Sequence, residues 1–186
     1  MQYVVVLVVL AAAASALLFY RINQEVVSDI QVLNADADQG TALVVYHRGI
    51  TDFQEAVTRA FSEGLVAAGW RVEMTTASPQ APTDLSGYAL LALGSPTYGP
   101  MQPITKHIKR LGDLGGKRTV ILITGLGATD GALANVRSVV EAANGSVIKA
   151  MSFWQSRPNN EQDPRPNREV ALDMATQAGK AILPGQ

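Results

Sequence analysis

The sequence contains no cysteine, and only two of its 186 residues are histidine. The absence of cysteine excludes disulfide bonds, thiolate nucleophiles and zinc or iron–sulfur sites with cysteine ligands. Any redox chemistry in this chain therefore requires a bound cofactor. The length is that of one ordinary domain with an extension.

The chain also lacks an excess of charge of either sign, since its formal net charge is −1. One basic and four acidic residues precede residue 41, which leaves 14 basic and 12 acidic residues in 41–186. A balance so close to zero favours neither nucleic-acid binding nor an acidic docking surface. We therefore expect no nucleic-acid partner.

One long apolar run stands at the N-terminus, where only Ser15 is polar between Tyr3 and Tyr20. As a helix these residues would be about 27 Å long, close to the thickness of the bilayer hydrocarbon. No basic residue precedes the run and no clean small-residue cleavage site follows it, so residues 1–21 are predicted to be an uncleaved transmembrane signal anchor rather than a cleaved signal peptide. Arg21 follows the span and places the rest of the chain in the cytoplasm by the positive-inside rule. Residues 22–40 are predicted to continue the helix for two or three turns and then form a linker.

The remaining residues, 41–186, alternate strand and helix patterns and are predicted to form one α/β domain. Strands are expected at 42–46, 70–75, 89–93, 119–124 and 146–151, and helices at 53–65, 102–111, 133–143 and 167–182. Thr51 and Gln54 have the spacing of a capping box at the first of these helices. The link 76–87 is too short for a full helix, and His107 is predicted to be a packing or surface histidine. Right-handed crossovers between the five strands give a parallel sheet with helices on both faces, and two common strand orders remain open.

The third strand ends in Gly94-Ser95-Pro96-Thr97-Tyr98-Gly99, and the fourth is followed by Thr124-Gly125-Leu126-Gly127-Ala128. Together with Leu85-Ser86-Gly87-Tyr88, these motifs resemble the flavodoxin family over about residues 42–182. The resemblance implies a flavodoxin-like doubly wound sandwich with strand order 2-1-3-4-5, and FMN at the switch point between strands 1 and 3. It implies that Tyr98 stacks on the flavin ring, that Ser95 and Thr97 contact polar atoms of the ring or ribityl chain, and that amides of residues 125–128 lie near the far side of the ring. The cofactor-binding residues expected in these two loops are Ser95, Pro96, Thr97, Tyr98, Gly99, Thr124, Gly125 and Gly127.

The sequence departs from that family between the first strand and the first helix. Flavodoxins wrap the FMN phosphate there with a run rich in Ser, Thr and Gly. Here Arg48, Gly49 and Thr51 are the residues expected to serve the phosphate. Asp52 places a carboxylate at the helix N-terminus, where it is expected either to occupy the amides that a phosphate would use or to be an ordinary N-terminal acid.

Two functions therefore follow from the sequence. The first is a membrane-anchored FMN oxidoreductase or electron-transfer protein that passes electrons to a quinone or to a redox partner protein. The cofactor would carry that chemistry, so the chain needs no side-chain acid, base, nucleophile or metal ion of its own. The second is a flavodoxin-fold domain that has lost FMN and serves as a binding or assembly module at the membrane.

Overall fold

The computed structural model of the protein describes residues 2–97 and 102–185. The first helix, α1, spans Gln2–Asn23, and its segment Tyr3–Asn23 is long and apolar enough to cross a membrane. Its side chains from Tyr3 to Tyr20 are exposed, whereas Ile22 and Asn23 at its end are partly buried. The predicted helical extension is wrong, because α1 ends at Asn23 and the next regular element is a three-residue strand, β1 (Gln31–Leu33).

Among the described residues, six strands form one sheet in the order β1-β3-β2-β4-β5-β6. The five strands after β1 are β2 (Thr41–Tyr46), β3 (Arg71–Thr76), β4 (Leu90–Pro96), β5 (Arg118–Gly125) and β6 (Ser146–Trp154). These five are parallel, and their spatial order confirms the predicted 2-1-3-4-5 arrangement. The sheet has six strands rather than the predicted five, because β1 pairs antiparallel with β3 through Gln31 opposite Met74 and Leu33 opposite Val72.

In the part of the chain that the structure describes, four helices cover the two faces of the sheet: α2 (Phe53–Ala67), α3 (Gln102–Leu111), α4 (Asp130–Ala142) and α5 (Asn167–Lys180). Side chains alternate along each central strand, so Val44 faces the core under α2 and α5 while Leu43 and Val45 face the core under α3 and α4. Both faces are therefore buried, which is why the central strands read as continuous apolar runs. The link between β3 and β4 contains no helix, as predicted.

The two helices on one face, α2 and α5, touch through glycine. A Cβ atom on Gly64 would lie 2.2 Å from the carbonyl oxygen of Thr176, and a Cβ on Gly179 would lie 2.2 Å from that of Phe61. The backbones therefore approach as closely as they do only because both positions lack a side chain. This contact holds the C-terminal ends of α2 and α5 against each other.

The predicted capping box at α2 is wrong. The helix begins at Phe53 after Asp52 as N-cap residue, and no side chain caps it. Gln54 is instead buried, donating to Thr58 Oγ1 at 3.0 Å and accepting from Thr124 Oγ1 at 2.8 Å. Burial of an amide is tolerated only with such partners, so tertiary packing overrides the local cap.

Candidate functional site

The strand order changes direction between β2 and β4, and in open α/β sheets ligands bind beyond the carboxyl ends of the strands at such a point. Among the predicted site residues, Arg48, Gly49 and Thr51 lie in the loop after β2, and Thr97 directly follows β4. Pro96 and Gly125 are the last residues of β4 and β5, and Gly127 lies in the loop after β5. These residues therefore share one edge of the sheet. Tyr98 and Gly99, also predicted for the site, lie outside the described residues.

The loop after β2 begins with His47, which is buried although it follows the strand. Its Nε2 lies 2.7 Å from the carbonyl oxygen of Ile22, and because a carbonyl only accepts, Nε2 carries the proton and donates. Burial lowers the pKa of His47 below its usual value. His47 is thus uncharged, and its hydrogen bond links this loop to the end of α1.

Arg48 is exposed and pairs with Glu55, one turn into α2, at 3.5 Å. Burial, together with the same carboxylate, raises the pKa of Tyr46 to about 12, so this phenol keeps its proton at physiological pH. The loop after β2 therefore brings a guanidinium to the start of α2, but an acidic neighbour comes with it.

Asp52 does not occupy the first amides of α2, so that expectation is wrong. Its carboxylate accepts two hydrogen bonds from Arg168, at 2.7 and 3.1 Å, and these bonds lower the pKa of Asp52. The guanidinium of Arg168 also lies 5.8 Å from the centre of the Phe53 ring. The first N–H groups of α2 are consequently left without a side-chain acceptor among the described residues.

Two of the predicted ligands turn inward. Thr124 is 3% exposed and its hydroxyl donates to Gln54, while Ser95 is 1% exposed and its hydroxyl donates to the Pro96 carbonyl at 3.2 Å. Both hydroxyls are therefore engaged inside the domain, and the expected contact of Ser95 or Thr124 side chains with a flavin is not supported. Thr97 is the one residue of the loop after β4 that the structure describes, and its side chain is partly exposed.

The loops after β4 and β5 close on each other at Thr97 and Gly125. The Thr97 N–H donates to the Thr124 carbonyl at 2.8 Å, and a Cβ on Gly125 would lie 2.6 Å from Thr97 Oγ1. Any larger residue at position 125 would push the two loops apart. Gly125 is thus required for the shape of this part of the edge.

A third loop, after β6, lies at the same edge of the sheet. Trp154 Nε1 donates to Thr129 Oγ1 at 3.0 Å, and the Arg157 guanidinium lies 5.2 Å from the centre of the Trp154 ring. A Cβ on Gly127 would lie 3.4 Å from Arg157 Cδ, which places this arginine beside a predicted site residue. Asn159 and Asn167 hold the loop through hydrogen bonds to each other and to the backbone of Trp154.

Arg157 and Arg168 are therefore the basic residues that sequence reasoning missed. The sequence could have indicated Arg168, because the predicted topology places α2 and α5 on the same face with their starts at the same edge, and Arg168 lies at the start of α5. Among the described residues, no group of three or more His, Cys, Asp or Glu side chains is arranged to hold a metal ion.

Comparison with known proteins shows the fold. No protein-family model matches the sequence, and no curated protein sequence matches it. The structure is similar to that of oxidised flavodoxin 2 from Bacillus cereus (15% identity, TM-score 0.59, covering 76% of this chain and 99% of that one). It is also similar to two-electron reduced flavodoxin from Megasphaera elsdenii (18%, 0.54, 73% and 99%) and to an NAD(P)H:quinone oxidoreductase from Methanothermobacter marburgensis (14%, 0.51, 76% and 98%). From β2 to α5 the chain thus has the flavodoxin-like fold, to which it adds an apolar N-terminal helix and an antiparallel edge strand.

Proposed function

We propose that this chain is a membrane-anchored flavoprotein, which holds FMN at the carboxyl edge of its sheet and passes electrons to a quinone or a redox partner protein. The fold carries the proposal, because flavodoxins and an NAD(P)H:quinone oxidoreductase share it. The α1 helix is long and apolar enough to serve as the anchor, and Arg21 after the span favours a cytoplasmic domain. Bound FMN would supply one- and two-electron transfer.

The residues at the start of α2 fit a phosphate group in two respects. The first amides of α2 have no side-chain acceptor among the described residues, and a helix N-terminus with free N–H groups favours an anion. Arg48 and Arg168 bring positive charge to the same turn. Gly49 and Thr51 complete the proposed phosphate loop.

The proposed ring site lies where the loops after β4 and β5 meet. Thr97 offers a hydroxyl, Gly125 lets the two loops approach closely, and Gly127 lies beside Arg157. Pro96, Tyr98 and Gly99 remain predicted ring contacts from the sequence. These residues would bind and orient a flavin, since no acid, base or nucleophile is required of them.

Absorbance of the purified full-length protein tests the proposal. We expect flavin bands that are released as FMN by heat, or, if the protein is isolated without cofactor, quenching of FMN fluorescence on titration. Riboflavin is the control, because it has the ring without the phosphate and should bind more weakly. Failure of FMN to bind at millimolar concentration would reject the flavin part of the proposal.

The second candidate, a flavin-free assembly module, has its own support. Each guanidinium at the start of α2 already has a carboxylate partner, Arg48 with Glu55 and Arg168 with Asp52, so the loop is neutralised without a phosphate. The titration above separates the two candidates.

A further inference from the structure

The segment that joins α1 to β1, which we call the strap (residues 24–30), is bound to the carboxyl edge of the domain. Thr76 donates from its hydroxyl to the Val26 carbonyl and from its N–H to Ser28 Oγ at 3.1 Å. Glu25 accepts from Arg110 of α3 at 2.7 Å. The strap therefore bridges the end of β3 and α3.

The end of α1 is fixed to the same edge, because Ile22 accepts from His47 Nε2 at 2.7 Å. Contacts with the domain thus begin at Ile22, before α1 ends at Asn23. A tether of free residues would let the domain rotate away from the anchor, but the strap holds its carboxyl edge toward the span.

The loop after β2 lies beside the last turns of α1 rather than beyond them. A cleft of about 550 Å³ separates the two, with Ala14, Leu17 and Leu18 of α1 on one side and Arg48 and Ile50 on the other. Ala14 is nine residues before the end of α1, or about 13 Å along the helix axis. If α1 crosses the bilayer, the loop is therefore level with the domain-side end of the span.

The two exposed side chains of this loop, Arg48 and Ile50, are of the types that occur at the surface of a bilayer. Ile50 is 55% exposed although it is a large apolar residue, and the Arg48 side chain is 58% exposed. An apolar side chain beside a cationic one is the combination that enters a lipid interface. The apolar side chain contacts acyl carbons there, and the guanidinium contacts lipid phosphates. Arg21 adds a second exposed cation on the α1 side of the cleft.

We infer that the strap seats the loop after β2, with Arg48 and Ile50, in the headgroup region of the bilayer. The carboxyl edge then faces the membrane, so an electron partner must approach within or along the bilayer. This inference rests on the proposed membrane anchor. Arg48 also belongs to the proposed phosphate loop, so Ile50, which that loop does not use, carries the test.

The absence of cysteine allows a direct test with single labels on the full chain. Ile50→Cys and Ser86→Cys would each carry an environment-sensitive fluorophore, in protein reconstituted into phosphatidylcholine–phosphatidylglycerol vesicles. Ser86 is exposed and precedes β4, so it lies near the opposite edge of the sheet. We expect headgroup-nitroxide lipids to quench the probe at 50 at least twofold more than the probe at 86, and aqueous iodide to show the reverse order.

A second pair of variants tests the role of the strap. Glu25→Gln with Ser28→Ala removes the ion pair with Arg110 and the Ser28 hydroxyl that accepts from the Thr76 N–H, and should bring lipid quenching at position 50 toward the level at 86. Glu141→Gln with Ser138→Ala is the matched control, because it removes the Arg137–Glu141 ion pair and a serine hydroxyl on α4. That control should leave quenching at 50 unchanged, and thermal unfolding of both variants shows whether they remain folded.

The outcomes separate this inference from the proposal beneath it. Full-length protein that does not float with vesicles overturns the anchor and this inference together. Protein that floats while position 50 is quenched no more than position 86 overturns the inference alone and leaves the edge open to a soluble partner. Quenching at 50 that is unchanged in Glu25→Gln with Ser28→Ala rejects these two side-chain contacts of the strap as its cause.

Discussion

Individual ion pairs at the start of α2 determine how much positive charge an anion would meet there. Arg168 is held by both oxygens of Asp52, and Arg48 is held more loosely by Glu55 at 3.5 Å. A phosphate at the helix N-terminus would compete with these carboxylates for the guanidinium groups. Replacing one member of a pair therefore changes the charge available to the phosphate without disturbing the ring site.

Asp52→Asn should raise FMN affinity. The change removes a negative charge, frees Arg168 and keeps a residue that is favourable at an N-cap. Partly screened charges a few ångströms apart interact by on the order of 1 kcal/mol, or about 5-fold in dissociation constant. Flavin fluorescence titration measures this directly, and the effect should shrink in high salt.

Arg168→Gln is the opposing variant, and it should lower FMN affinity by a similar factor. Riboflavin binding should not respond to either change, because riboflavin has no phosphate. Equal effects on FMN and riboflavin would mean that the substitutions act on the fold, and the phosphate would then have to be placed elsewhere.

His107 provides a prediction about pH. It is fully buried on α3, neither ring nitrogen has a hydrogen-bond partner among the described residues, and burial lowers its pKa to about 4. Between pH 6.5 and 4 the unfolded chain therefore binds this proton while the folded chain does not. The free energy of unfolding therefore decreases as the pH falls through that window, by roughly 3 kcal/mol at pH 4.

The variant His107→Leu should therefore lose less stability than the parent between pH 7 and pH 4.5. At pH 7 it should be as stable as the parent or more so, because it removes two unpaired nitrogens from the interior. Thermal unfolding in a mild detergent, followed by tryptophan fluorescence, is the measurement. An unchanged pH dependence would show that His107 does not titrate in this range.

Among the elements, the α2–α5 pair depends most visibly on single residues. Gly64→Ala and Gly179→Ala each drive a methyl group into the backbone of the partner helix, and overpacking of this kind costs about 1–3 kcal/mol. For a chain of this size that corresponds to a fall of roughly 2–12 °C in Tm. The double variant should cost less than the sum, since one separation of the helices relieves both clashes.

Gly131→Ala is the matched control for those variants. Gly131 lies in the first turn of α4, and nothing lies within 4 Å of an added Cβ. Alanine there should leave stability unchanged or raise it by up to about 1 kcal/mol, because it restricts the unfolded chain. Equal losses for Gly64→Ala and Gly131→Ala would contradict a close helix contact.

The elements also show how far sequence patterns extend. The five parallel strands and their order could be predicted because the central runs are long, apolar and separated by helical stripes. β1 could not be predicted, because it has only three residues, two of them exposed, and they show no periodic pattern. It forms through its pairing with β3. Gln54 was misread for a related reason, since a local cap pattern gave way to a buried partner in β5.

The site was less predictable than the fold. Arg48, Gly49, Thr51, Thr97, Gly125 and Gly127 could be assigned to one edge because they follow parallel strands. Arg168 comes from α5, more than a hundred residues from Asp52, and its role depends on tertiary packing that no local pattern reports. The inward turn of Ser95 and Thr124 follows from side-chain alternation at the strand ends, which requires the register to be known.

At the scale of the whole molecule, the N-terminal residues do more than link an anchor to a domain. The strap and β1 cover the edge of β3, and the Asn34 amide donates to the Trp70 carbonyl at 3.1 Å while Arg71 donates to the Ala35 carbonyl at 2.7 Å. Residues predicted to be linker are therefore part of the folded unit. Whether the domain begins at residue 41 therefore depends on how much residues 24–40 contribute to its stability.

Two truncated chains test that boundary. A chain of residues 24–186 lacks α1 but keeps the strap and β1, and it should be soluble and folded without detergent. A chain of residues 41–186 also loses the pairing of β1 with β3, the bond donated by Asn34, and the bonds accepted by Ser28 and Ala35. Each lost hydrogen bond is worth about 0.5–1.5 kcal/mol, so the shorter chain should melt at least 5 °C lower. It should also aggregate more readily, because β3 becomes an uncovered edge strand. Equal Tm and equal solubility for the two chains would show that the domain begins at residue 41 and that residues 24–40 add nothing to its stability.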